Sequence, residues 1–128
     1  MFQPDAHALP MLATLLAAAV LEETGFRAGL QHGLMAVMAS GRFARIGQAL
    51  PGRFTPANWL VAVAFALAHG LARSWWLALG VLGPALLLGW IYERRQSLST
   101  CVAVHAAMNA AWWAAWWAVP SGARTWMN

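Results

Sequence analysis

Between Pro10 and Ser40 the chain carries three charged residues, Glu22, Glu23 and Arg27, crowded into six positions of an otherwise uncharged and largely apolar run. A helix over that run extends about 46 Å at ~1.5 Å per residue. That exceeds the roughly 30 Å thickness of a hydrocarbon core, so such a helix must tilt, protrude or break. A charge at the centre of a membrane helix costs about 2.5–3.5 kcal/mol on insertion scales, hence about 7–10 kcal/mol for three left unpaired. These residues are therefore paired, line a wet cavity, or both.

The rest of the composition makes lipid the solvent. Of 128 residues 61% are hydrophobic and 9% charged, whereas a soluble domain carries about a quarter charged residues. This chain could not cover a water-facing surface, and disorder, coiled coil and collagen fail on the same figures. The expected fold is all-α, a polytopic helical membrane protein with about four transmembrane helices around a polar intramembrane cavity, in one domain over 1–128. The net charge of +4 comes from eight arginines and no lysine, against four acids. They are scattered singly apart from Arg94-Arg95, with no basic stripe of the kind nucleic acid needs, so they read as membrane anchors. The single cysteine, Cys101, excludes an internal disulfide framework. Leu9 to Leu21 is apolar like the core of a signal peptide, but the segment before it carries Asp5 and no arginine, and no cleavage-like exit follows. It is expected to stay in the mature protein.

Four apolar segments follow from the pattern. The first runs from about Pro10 to Ser40 with Gly41 as its stop. The second begins at Thr55-Pro56, a cap followed by proline at the first helical position, and reaches about Leu71. The third spans about Trp75 to Glu93, with a kink expected at Pro84. The fourth starts at Ser97 or Ser99 and ends before Pro120. Phe43, Ile46 and Leu50 suit residues 41–55 to an interfacial loop. Five arginines in the first and third loops against two in the second loop and C-terminal tail place those two loops in the cytoplasm and both termini outside. Trp59 and Trp90 fall toward one interface, and Trp75, Trp76, Trp116 and Trp117 toward the other.

Helix geometry gives the buried polar residues different work. Glu23 and Arg27 are four apart and can form an ion pair, with Gln31 one turn further on the same stripe. Glu22 is rotated by about 100° and shares its face with Gly25, Gly29 and Gly33, a doubled GxxxG run that lets another backbone approach. One carboxylate thus looks structural and the other is presented in a bare groove, where it suits general-base work. His69 follows Phe65 by one turn. His105 and Asn109, also four apart, present an imidazole and an amide on one face. A glutamate with a histidine can activate water, and a histidine with an asparagine can hydrogen-bond a developing oxyanion.

These residues fall into EExxxR (Glu22-Glu23-Thr-Gly-Phe-Arg27), FxxxH (Phe65 to His69) and HxxxN (His105 to Asn109). In that order the chain resembles the CPBP family of intramembrane glutamic proteases, the type II CAAX prenyl endopeptidase and its bacterial relatives. The stretch Gly89 to Arg94 looks like the family as well, and the resemblance covers about residues 15–118. It implies an endopeptidase acting on a membrane-associated protein or peptide, without a bound cofactor and without a metal site. Glu22 would activate water held also by His69, His105 and Asn109 would form the oxyanion hole, and Glu23 with Arg27 would brace the site. It further implies a multi-pass protein of the cell (inner) membrane. Its partners would be the lipid bilayer and a substrate with a membrane-embedded or lipid-anchored segment, with no nucleic acid.

Three alternatives stand beside this reading. Glu22, His69 and His105 could hold zinc, although no HExxH is present and Asn109 is a poor zinc ligand. Cys101, four residues before His105, could be a nucleophile. The chain could also be an inactive membrane scaffold or immunity-type protein whose polar core only joins its helices. The glycine run permits a homodimer. His7 and His32 read as idle interfacial residues.

Overall fold

The computed structural model describes residues 8–40 and 54–119. Every regular element among them is helical. The first segment is one continuous helical rod from Leu9 to Ala39, and it neither breaks nor stays α-helical. Helix α1 (Ala8–Glu23) passes into a π-helical stretch (Thr24–Gln31), which passes into α2 (His32–Ala39). Helices α3 (Pro56–Ala72), α4 (Trp75–Arg95) and α5 (Leu98–Ala118) complete the fold. Two helices, Leu9–Ala39 and Trp75–Arg95, are long and apolar enough to cross a membrane, and α3 is a shorter apolar helix. The expected all-α membrane architecture is thus observed.

Local chemistry sets the helix ends close to where the sequence puts them. The Thr55 hydroxyl accepts from the Asn58 amide at 3.1 Å, ahead of Pro56 at the first helical position. Ser74 caps α4 and Ser97 caps α5 in the same way. Helix α4 continues through Pro84 and ends at Gln96, which takes the left-handed conformation (φ 48°) and turns the chain into α5. The expected stop at Gly41, most of the 41–55 interfacial loop, Arg42, Arg45, Arg53 and Arg124, and His7 lie outside the described residues.

Helices α3 and α4 form an antiparallel hairpin and α5 returns beside α4, packing also along α1. The π-helical stretch touches α3, α4 and α5 and is the hub of the bundle. An apolar cluster of Ala62, Phe65, Ala85 and Leu86 joins α3 to α4, and Leu88, Tyr92 and Cys101 join α4 to α5. At the α3–α4 crossing only glycine fits position 89, because a Cβ there would lie 1.9 Å from Asn58 Oδ1 and 3.1 Å from Gln31 Oε1. Gly89→Ala is therefore expected to lower stability by about 1–3 kcal/mol, the usual cost of overpacking. Gly83→Ala on the same helix, where nothing lies within 4 Å, should be neutral or stabilising, and thermal unfolding in detergent compares the two.

The glycine run behaves differently from its expected packing role. A methyl group at Gly25 or Gly33 would meet nothing within 4 Å, and at Gly29 only the Thr24 carbonyl at 3.6 Å. The rod turns Glu23, Arg27 and Gln31 inward, all fully buried, and this leaves the glycines on the open side.

Candidate active site

The π-helical stretch begins one residue after the two glutamates. Its i→i+5 hydrogen bonds widen the turn, so residues four apart stack almost along the axis. Glu23, Arg27 and Gln31 form such a stack. Arg27 Nε donates to Glu23 Oε2 at 3.1 Å, Nη1 to Gln31 Oε1 at 3.0 Å, and Nη2 to the Ala85 carbonyl of α4 at 3.0 Å. A guanidinium is a rigid fork of donors, and here the fork is filled by acceptors on α1, the π-helical stretch and α4. The expected pairing of Glu23 with Arg27 is the one observed.

The remaining oxygen of Glu23 reaches α5, where Oε1 accepts from His105 Nδ1 at 2.8 Å. Both oxygens of this carboxylate are then occupied and its side chain is 0% exposed. The other ring nitrogen, His105 Nε2, lies 3.6 Å from Glu22 Oε2, so neighbouring glutamates grip the two ends of one imidazole. Sequence geometry separated the glutamates by their access to Arg27. It gave no sign that they converge on His105.

On α3, His69 Nδ1 donates to the Phe65 carbonyl at 3.0 Å, since a carbonyl can only accept. In the neutral ring Nε2 is then the bare nitrogen, and it lies 4.0 Å from Glu22 Oε2. The Phe65 ring stacks on His69 (centroids 4.3 Å) and meets His105 (6.0 Å) and Phe26 (5.0 Å) edge-on. The spacing in FxxxH thus gives one residue two tasks, a carbonyl that orients the imidazole and a ring that forms an apolar floor beneath both histidines. The side chains of Glu22 and His69 are 30% and 21% exposed, so the face they share is open while Glu23 behind it is sealed.

A family model described as type II CAAX prenyl endopeptidase Rce1-like matches residues 4–111. The chain belongs to this family. No curated protein and no solved structure matches it. Membership of the Rce1-like family makes this a chain of the CAAX-type intramembrane proteases, and the apolar helices above agree with a membrane-embedded fold.

The other candidate residues of this Rce1-like chain sit as follows. Asn109 donates its amide to the Leu15 carbonyl of α1 at 3.4 Å, two turns before Glu22, and lies one turn beyond His105. Cys101 is fully buried with Leu88 and Tyr92, its thiol directed at the Leu88 carbonyl 3.7 Å away, on the side of α5 that faces α4. His32, expected to be idle, has its Nδ1 3.4 Å from the Tyr92 hydroxyl. Sequence reasoning passed over Asn58 and Glu93. Asn58, fully buried, donates to the Leu86 carbonyl at 3.0 Å, and Glu93 accepts from Gln31 at 3.0 Å and from the Thr55 hydroxyl. Both left a signal, since Asn58 shares apolar α3 with one other polar side chain, His69, and Glu93 is the lone acid after Glu23.

Proposed function

We propose that this chain hydrolyses a peptide bond in a membrane-associated protein or peptide by water activated between Glu22 and His69, without a metal and without a covalent intermediate. The observation that carries the reading is the division between adjacent carboxylates. Glu23 has both oxygens engaged and is sealed, whereas Glu22 is open, with an imidazole Nε2 at 3.6 Å and another at 4.0 Å.

A carboxylate oxygen and a bare imidazole nitrogen at that separation are both acceptors, and one water can donate a proton to each. With both protons directed away, the water oxygen presents a lone pair to the scissile carbonyl carbon. Attack forms the new C–O bond as Glu22 takes the proton. His105, through Nε2 when that nitrogen also carries a proton, and Asn109, once it turns from Leu15, hydrogen-bond the carbonyl oxygen as it gains charge. The Leu15 carbonyl lies within a helix, so its bond to Asn109 is a second one and long at 3.4 Å. Collapse of the intermediate breaks the C–N bond, and Glu22 returns its proton to the leaving amine. Glu23 holds His105 from behind, as the buried carboxylate does in a histidine triad.

The surroundings and the family support a choice of substrate class. Glu22 lies within the apolar rod, which favours a substrate with a membrane-embedded or lipid-anchored segment, and a prenylated CAAX terminus is the first to try. The bilayer of the cell (inner) membrane, crossed several times, is the proposed location, and nucleic acid has no part in the reading. The test is cleavage of a fluorescence-quenched farnesylated CAAX peptide by the protein in liposomes. Cleavage is expected to persist with a zinc chelator and in Cys101→Ala, and to fall by about 10²–10⁴ in His69→Ala and His105→Ala, the range of acid–base contributions. Loss with chelator and recovery with zinc would put a metal between Glu22, His69 and His105 instead.

A further inference from the structure

The hydrogen-bonded chain that starts at His105 and Glu23 continues past Arg27. Gln31 accepts from Arg27 Nη1 through Oε1 and donates from Nε2 to Glu93 Oε1 at 3.0 Å and to the Gly89 carbonyl at 3.1 Å. Glu93 in turn accepts from the Thr55 hydroxyl, the same group that caps α3. Gln31 is fully buried between a guanidinium and a carboxylate. A primary amide of this length can accept from the first and donate to the second at once. A carboxylate there would face Glu93, an ammonium would face Arg27, and a hydrocarbon would leave both charged neighbours short of a bond. The two charges also fix which way the amide points.

We propose that Gln31 is a positioning residue for the glutamate pair. Held by Glu93, it fixes the Arg27 fork; Arg27 fixes Glu23, and Glu23 fixes the His105 ring that faces Glu22. Through Thr55 the same chain reaches α3, which carries His69. The rod, α3, α4 and α5 are thus set in register by one line of polar contacts, and nothing assigned above gives Gln31 or Glu93 that work. The effect on rate rests on the hydrolytic reading of Glu22, whereas the effect on His105 does not.

Exchanging the amide and the carboxylate tests the assignment. Gln31→Glu keeps the shape and is expected to lower kcat on the farnesylated peptide by about 10–100-fold, as loss of a supporting partner does, with KM within about twofold. Glu93→Gln should lower it less. In the double variant the amide at position 93 donates to the carboxylate at position 31, which still accepts from Arg27, while the Gly89 carbonyl loses its side-chain donor. It should regain kcat to within about tenfold of the parent and well above Gln31→Glu, the behaviour of directly coupled sites. In ¹⁵N-histidine NMR spectra the Nδ1 resonance of His105 should shift in Gln31→Glu and return in the double variant, with His69 unmoved. A packing role alone predicts an innocuous Gln31→Glu, or a loss that the exchange does not repair, and either result overturns the proposal. If the parent protein fails to cleave the peptide, the hydrolytic reading falls and the His105 resonance still decides the role of Gln31.

Discussion

Glu22→Gln is expected to reduce peptide hydrolysis by about three orders of magnitude, within the range set by general-base catalysis, in a protein that folds like its parent. The substitution keeps size and shape and replaces the basic carboxylate oxygen that takes the proton from water by a non-basic amide. Little else depends on that carboxylate. Glu22 is 30% exposed and its nearest charged or titratable neighbours are the two imidazoles at 3.6 and 4.0 Å. Its loss should therefore change stability by less than about 1 kcal/mol, the scale of a partly exposed pair. Initial rates in liposomes and thermal unfolding in detergent are the two measurements. Hydrolysis within tenfold of the parent would remove Glu22 from the chemistry. A scaffold or immunity-type protein would instead keep its biological effect after the change, so the same variant separates a protease from a module whose polar core only joins helices.

What the sequence made legible is what depends on spacing along one helix. The Glu23–Arg27 pair, the Thr55-Pro56 start of α3 and the proximity of His69 to Phe65 all follow from i,i+4 geometry or local capping. So does the different accessibility of the two glutamates. The parts that stayed hidden depend on the path of the rod. No residue pattern announced that Thr24–Gln31 would be π-helical or that Gly25, Gly29 and Gly33 would lie on the open side, although the stripe of Glu23, Arg27 and Gln31 was legible. Contacts between elements were hidden for the same reason. His105 is 82 positions from Glu23, and Glu93 is 62 from Gln31. Motif order put His105 beside Glu22 but said nothing of its bond to Glu23, and Glu93 read as the end of a span. Asn109 followed its motif to the right helix, while its hydrogen bond went to α1.

Arg27→Met is expected to cost about 3–5 kcal/mol, the penalty for removing one partner of a buried ion pair. The change strips a donor from Glu23, from Gln31 and from the Ala85 carbonyl, in a layer where Glu23, Arg27 and Gln31 are all fully buried. Water cannot replace those donors without opening the bundle. Arg27→Lys should fall between, because a single ammonium keeps the charge but cannot reach three acceptors that a planar fork reaches together. Whether the pair stabilises the fold or only selects it is a separate matter, since burying two charges removes much of what their attraction supplies. The double variant Glu23→Gln/Arg27→Met decides it. With both charges gone no uncompensated ion remains, so unfolding should return at least half of the loss seen in Arg27→Met, and the two effects will not add. Hydrolysis should not return with it, because an amide at position 23 no longer offers His105 Nδ1 a charged acceptor. Stability recovered without activity would mean that the pair exists to hold the imidazole against Glu22. Activity recovered along with stability would make it a fastener between the rod and α4, and would leave His105 to be oriented by its helix alone.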